Sequence, residues 1–231
     1  MDKKGVLYVV AGPIGNLLDI TYRAIDILKS CDIILSEDTR ETSKILQKFS
    51  INTRQISYRD QNHEKILPKV IEILDIGSNV ALVSDSGTPT ISDPGYKLIH
   101  KLKALGFEVK PIPGPSAVIS ALSVSGLPTD KFSFLGFLPK SRAARYKILL
   151  EYGNLDSTVV IYESPFRILR LLEEINESLG DRVVCVAREL TKIFEEVKTA
   201  KISDFISKKE KIGSKGEFVV LIAKKDFDEK R

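Results

Sequence analysis

A chain of 231 residues, 43% apolar and 29% charged, can bury one large core or two smaller ones without disulfide or metal staples. Its net charge of +4 permits an anionic partner but does not require one. No apolar run approaches the roughly 18 residues that span a bilayer, and the opening Met1-Asp2-Lys3-Lys4 lacks the apolar segment of a secretory signal, so the expected compartment is the cytoplasm. Cys31 and Cys185 sit far apart in apolar surroundings and read as buried free thiols.

Along the chain, short β-type runs alternate with helical patterns. Residues 6–11 read as a buried strand and 20–30 as a helix with Asp19 as its N-cap. A strand is expected at 32–35, helices at 39–49 and 62–75 with Pro68 limiting the latter, and a strongly apolar strand at 79–84. Asp93 and Pro94 have the form of a cap and first position for a helix over 93–105, which Gly106 stops. A strand at 107–112 and a helix from about Pro115 follow. The stretch 126–131 reads as a linker. Beyond it, strands are expected at 132–137, 157–162, 182–187 and 217–223, helices at 141–152, 165–179 and 202–210, and a fraying charged tail from Lys224. The alternation predicts an α/β chain of two domains, 1–113 and 114–231, with mostly parallel, helix-covered sheets.

Three clusters rich in glycine and proline follow apolar strands: Gly12-Pro13-Ile14-Gly15-Asn16, Ser84-Asp85-Ser86-Gly87-Thr88-Pro89 with Ile91 to Gly95 behind it, and Pro113-Gly114-Pro115-Ser116-Ala117. Each could be a simple turn. Three at strand ends in one half-chain point to a shared ligand site, because loops at the carboxyl ends of strands line the crevice of an open α/β sheet. No G-x-G-x-x-G run follows a strand and no phosphate-binding G-x-x-x-x-G-K-[ST] loop occurs. His63 and His100 are isolated and read as helix-surface residues, so no metal site is expected.

These clusters, with Ser36-Glu37-Asp38-Thr39-Arg40, Gly136-Phe137-Leu138-Pro139, Tyr162-Glu163-Ser164-Pro165-Phe166-Arg167 and Ala187-Arg188-Glu189-Leu190-Thr191-Lys192, carry a resemblance over roughly residues 5–223. The chain resembles the tetrapyrrole-methylase, or class III, methyltransferases, and among them the family acting on small-subunit ribosomal RNA. The resemblance implies two αβα domains holding S-adenosylmethionine (AdoMet) in a cleft between them, a homodimer, and 2′-O-methylation of a cytidine. Cofactor contacts carry over to Pro13, Ser84, Asp85, Ser86, Gly87, Thr88, Ile91, Ser116, Ala117, Glu163 and Leu190. The resemblance also implies, for many family members, a further C-terminal extension past the point where the matched motifs end. A class III methylase for a tetrapyrrole or other small substrate, or a non-catalytic RNA-binding assembly protein, are the alternatives.

Methyl transfer to a ribose hydroxyl needs in-line alignment and a base or cation for the developing alkoxide. The catalytic candidates are Arg40, Glu163, Arg188, Glu189 and Lys192, each of which could equally be an ion-pair residue that stiffens the site. Arg40, Lys44 and Lys48 share a helix face, and Lys140, Arg142, Arg145 and Lys147 meet no acid before Glu151. Of these, Arg40, Lys140 and Arg142 are the expected RNA contacts, with Lys48 and Lys147 as solvated charges. Phe137 could stack a base but reads better as a core residue.

Overall fold

The structure, a computed structural model, describes residues 4–227, so part of the expected charged tail lies outside the described residues. The chain divides into two compact units, Met1–Ser116 and Ala117–Arg231.

In the first unit, strands β1 (Val6–Val10), β2 (Ile33–Ser36), β3 (Arg54–Ser57), β4 (Val80–Val83) and β5 (Glu108–Ile112) form one sheet in the order β3-β2-β4-β1-β5. Every pairing is parallel. Helices α1 (Tyr22–Ser30) and α2 (Thr39–Lys48) cover one face, where Ala24, Leu28, Ile45 and Leu46 pack on Val10, Ile34, Ala81 and Val83. Helices α3 (His63–Asp75) and α4 (Tyr96–Ala104) cover the other, where Val70, Leu74, Leu98 and Leu102 pack on Leu7, Leu35, Val80 and Leu82. Full burial of each such side chain contributes about 1.5–3 kcal/mol. The chain leaves β1 toward β2 over one face and leaves β4 toward β5 over the other. Adjacent β1 and β4 therefore form the switch point at which such sheets open a crevice beyond their carboxyl ends.

In the second unit, β6 (Phe132–Phe137), β7 (Thr158–Glu163), β8 (Val183–Arg188), β9 (Glu196–Lys201) and β10 (Phe218–Ile222) follow the order β6-β7-β10-β8-β9. Only β6 and β7 are parallel; the other three pairings are antiparallel, so this sheet is mixed rather than mostly parallel. Helix α5 (Ala117–Val124) packs against β10. Helices α6 (Arg142–Gly153), α7 (Ile168–Leu179) and α8 (Ile202–Ile206) lay Leu149, Leu171, Leu172, Ile175 and Phe205 on one face of the sheet.

Several local expectations are corrected. Thr21, not Asp19, caps α1, its hydroxyl accepting from the Ala24 amide, because residues 17–19 already form a short 3-10 turn. Helix α3 runs through Pro68: both Pro68 and Glu64, whose carbonyl loses its partner, are exposed to water. Helix α4 starts at Tyr96, not Asp93, since Gly95 at φ +127° breaks the helical path. Helix α8 ends at Ile206. His63 is buried, not on the surface: it begins the stripe His63, Leu67, Val70, Leu74, and Tyr58 Oη lies 3.0 Å from its Nδ1. Both cysteines are buried free thiols, and burial pushes the Cys31 thiol up to about 12.

Candidate functional site

At the carboxyl edge of the first sheet the three glycine/proline loops meet. The Gly12 amide donates to the Gly87 carbonyl (2.8 Å) and the Gly87 amide to the Pro13 carbonyl (3.1 Å), which ties the β1 loop to the β4 loop. The third loop closes on the first so tightly that a Cβ at Gly114 would stand 3.0 Å from Ala11 Cβ. A side chain at Gly87 would meet Ile14 Cγ2 at 3.3 Å, and its φ of +70° belongs to glycine. Thr90 and Ser92 also take positive φ, 77° and 64°, which costs energy that only a constrained loop sustains. Pro13 and Ser84 are buried, Thr88, Ser116 and Ala117 half-buried, and Asp85, Ser86 and Ile91 exposed.

An acidic rim adjoins these loops. The Asp38 amide donates to Asp85 Oδ1 (2.9 Å), and the Asp85 amide to Glu37 Oε2 (3.3 Å). Burial raises the Glu37 carboxyl above its ordinary range. Burial likewise pushes Asp93 up to about 6, with Glu37 and Asp85 adding to the rise and a hydrogen bond from Ser84 opposing it. Asp93 thus faces the β4 loop instead of capping α4. Glu37 and Asp93 were missed as site residues from sequence; their signal was a place at the end of β2 and in the β4 loop. No group of three or more His, Cys, Asp or Glu side chains is placed to hold a metal among the described residues.

Asp38 caps α2 by accepting from the Arg40 amide, and the Arg40 guanidinium grips both its oxygens at 3.0 and 2.5 Å. That pairing holds the Asp38 carboxyl well below the usual carboxylate range. The Arg40 side chain is otherwise 86% exposed. It lies on the outer face of α2 with Lys44 and Lys48.

In the second unit, Arg188, Glu189 and Lys192 come together as a self-paired network. Arg188 donates to the Lys215 carbonyl (2.5 Å) and the Phe194 carbonyl (3.2 Å) and pairs with Glu196 (3.5 Å), joining the 189–195 turn to the loop before β10. Lys192 Nζ donates to Glu189 and Glu217, both at 2.9 Å. Burial alone would raise the Glu189 carboxyl, but Lys192 and the Glu217 amide overcome it and hold it low. Burial would likewise lower Lys192, and its two carboxylate partners outweigh that. Glu189 and Thr191 sit at φ 50° and 67°, and the Thr191 hydroxyl is buried without a partner. Leu190 and Glu163 are both buried, with Glu163 Oε1 accepting from Arg167 Nε (2.8 Å) and the Ser164 amide (2.6 Å).

The basic run after β6 divides. Lys140 is exposed, and Arg142 is exposed but paired with Glu177 at 2.5 Å. Arg145, grouped with them from sequence, is 4% exposed and bound through two nitrogens to Glu174, both at 2.6 Å. It lies on the inner stripe of α6 with Leu149 and Gly153. Phe137 is 57% exposed and tilted against Tyr162 at the strand edge, not in the core.

The family model of the tetrapyrrole (corrin/porphyrin) methylases matches residues 6–206. Ribosomal RNA small subunit methyltransferase I of Rickettsia prowazekii is 46% identical over 223 residues, 96% of this chain and 80% of that protein. The protein of the same name from Thermotoga maritima is 43% identical over 222 residues, 96% of this chain and 100% of that one. Among solved structures, uroporphyrin-III-C-methyltransferase from Thermus thermophilus superposes with a TM-score of 0.65 at 18% identity, over 96% of this chain and 95% of that one. Diphthine synthase superposes at 0.73 and 15% identity, over 95% and 90%. Identities this low speak to the fold alone. The relatives and the matched model together place the chain in the tetrapyrrole (corrin/porphyrin) methylase family, among the ribosomal RNA small subunit methyltransferase I proteins.

Proposed function

We propose that this chain transfers a methyl group from AdoMet to the 2′-hydroxyl of a cytidine in small-subunit ribosomal RNA. The observation that carries the reading is the joining of the β1, β4 and β5 loops at the switch point of the parallel sheet. The donor set there suits AdoMet. Tight glycine and proline turns offer backbone groups at close range, and the hydroxyls of Ser84, Ser86, Thr88 and Ser116 supply hydrogen bonds. The carboxylates of Glu37, Asp85 and Asp93 complement a cationic ligand. Pro13, Ser84, Asp85, Ser86, Gly87, Thr88, Ile91, Ser116 and Ala117 are the proposed contacts in this unit. Glu163 and Leu190, whose side chains are buried, would contribute through their backbone.

When bound, the cofactor supplies an electrophilic methyl. The chain's own tasks are to fix the line of attack, exclude water and handle the hydroxyl proton. Lys192, held protonated by two carboxylates, is suited to stabilise a developing alkoxide, with Glu189 orienting it. Arg188 acts as a positioning residue, since its hydrogen bonds to the Lys215 and Phe194 carbonyls join two loops, and Glu163 fixes the turn after β7 through the Ser164 amide and Arg167. Arg40, Lys140 and Arg142 would contact RNA phosphates. No helix among the described residues is long and apolar enough to cross a membrane. A homodimer in the bacterial cytoplasm completes the proposal, resting on the family resemblance.

The test is transfer of labelled methyl from AdoMet to whole small ribosomal subunits, naked ribosomal RNA and a tetrapyrrole. The reading expects label at a ribose oxygen of the RNA. Label on the tetrapyrrole, or on a base, would overturn it.

A further inference from the structure

A recess of about 80 Å³ lies wholly within the second unit, lined by Lys140, Arg145, Glu163, Arg167, Arg170 and Glu174. Its charges are arranged in two layers. Glu163 and Glu174 form the floor, with side chains only 1% and 6% exposed. Both are already engaged: Glu163 by Arg167 Nε at 2.8 Å, and Glu174 by Arg145 and by Arg170 Nε at 3.0 Å. Arg145 is locked further by the Pro139 and Lys140 carbonyls at 3.0 and 2.7 Å, which fixes the turn that carries Lys140.

The remaining donors point to an acceptor outside the chain. Among the described residues, Arg170 uses only its Nε, Arg167 uses Nε and a long 3.5 Å contact to the Leu138 carbonyl, and the Lys140 ammonium has no partner. Four cations against two spent carboxylates leave the recess positive, with the spare N–H groups on Lys140, Arg167 and Arg170. That is the chemistry of a tetrahedral oxyanion, and the recess has room for one. Phe166 precedes Arg167 and is 96% exposed, an aromatic beside an anion site of the kind that meets unpaired bases.

We propose that this recess holds one backbone phosphate of the RNA substrate, gripped by Lys140, Arg167 and Arg170. The inference rests on the RNA reading above and adds a defined phosphate pocket to it. The double variant Lys140→Gln, Arg170→Gln tests it, because both side chains are exposed and Arg145 still satisfies Glu174. RNA affinity should fall roughly tenfold, with the slope of log affinity against log salt shallower by about 0.7, the contribution of one single-strand phosphate. AdoMet affinity and melting temperature should not change. In the wild type, inorganic phosphate should shift the Nε–Hε resonances of Arg167 and Arg170.

An unchanged salt slope overturns the proposal; if inorganic phosphate still shifts those resonances, the recess serves a free phosphate compound instead. No response to either probe overturns it too. A reduced slope in a chain that transfers no methyl to RNA would uphold the pocket and sink the catalytic reading.

Discussion

The two units solve the problem of a functional edge in opposite ways. In the first, the carboxyl ends of β1, β4 and β5 carry small and imino residues whose backbones bond to one another, so the edge is rigid yet bare of long side chains. In the second, the ends of β7 and β8 and the helix α7 carry arginines, lysines and glutamates that pair among themselves. A bare edge lets a ligand approach main-chain groups, and its few carboxylates set the local potential. A self-paired edge spends most of its charge on holding loops in place and leaves only the outer cations for a polyanion. Residue type therefore separates the two edges, a backbone-lined one and a self-paired charged one, which the proposed function reads as cofactor cradle and RNA clamp.

The largest break in this comparison is Arg145→Leu, which strips Glu174 of its main partner in the interior. Removing one member of a buried pair costs about 3–5 kcal/mol, so urea unfolding should show a much lower midpoint. Adding Glu174→Leu should recover most of the loss, because apolar side chains can replace a buried pair at little cost. A single variant as stable as the wild type would show that the pair is not the brace described.

Gly87→Trp attacks the cradle. A side chain there meets Ile14 and takes a left-handed backbone at a cost of about 1–2 kcal/mol, so folding should stay cooperative at a lowered stability. AdoMet affinity should fall at least about a hundredfold, near 2.7 kcal/mol by calorimetry. Undiminished affinity would place the cofactor elsewhere.

Asp93 gives the acidic rim a pH signature. Its carboxyl titrates near 6 in the folded chain against an ordinary 3.8. Between those values the unfolded chain has released its proton while the folded chain keeps it, so this group's contribution to stability falls as pH rises from about 4 to 6, then levels off. Asp93→Asn should abolish that fall and raise stability at pH 7 by about 1 kcal/mol, a figure reduced for solvent screening. Identical pH–stability curves for the two proteins would mean the group is not perturbed.

Arg142→Glu is the mildest change. Arg142 and Glu177 form an exposed pair, worth about 0–1 kcal/mol, so the melting temperature should barely move. RNA affinity should drop severalfold while AdoMet binding is spared. Unaltered RNA affinity would remove this residue from the clamp.

The legible parts of the fold were those whose signal is local. Runs such as Val80 to Val83 and Phe218 to Ile222 are apolar throughout because both faces of these interior strands are covered. Like the foreseen β5 and β6, the two strands not foreseen, β3 and β9, each stand at one edge of their sheet. Their sequences, Arg-Gln-Ile-Ser and Glu-Val-Lys-Thr-Ala-Lys, are polar as edge strands tend to be, and only pairing with a neighbour makes them strands. The glycine and proline clusters marked the three loops that meet at the sheet edge, since their backbone demands are written in residue type. The pairing of Arg145 with Glu174, 29 positions apart, left no local trace, and the place of Asp93 in the β4 loop did not disclose its burial, because both depend on tertiary packing.

Amide hydrogen exchange with and without AdoMet tests the cradle most directly. Added cofactor should slow exchange together at Gly12 and Ile14, at Ser86 to Thr88, and at Gly114 and Ser116. Protection confined to one of these turns, or found only in segments remote from all three, would contradict the account.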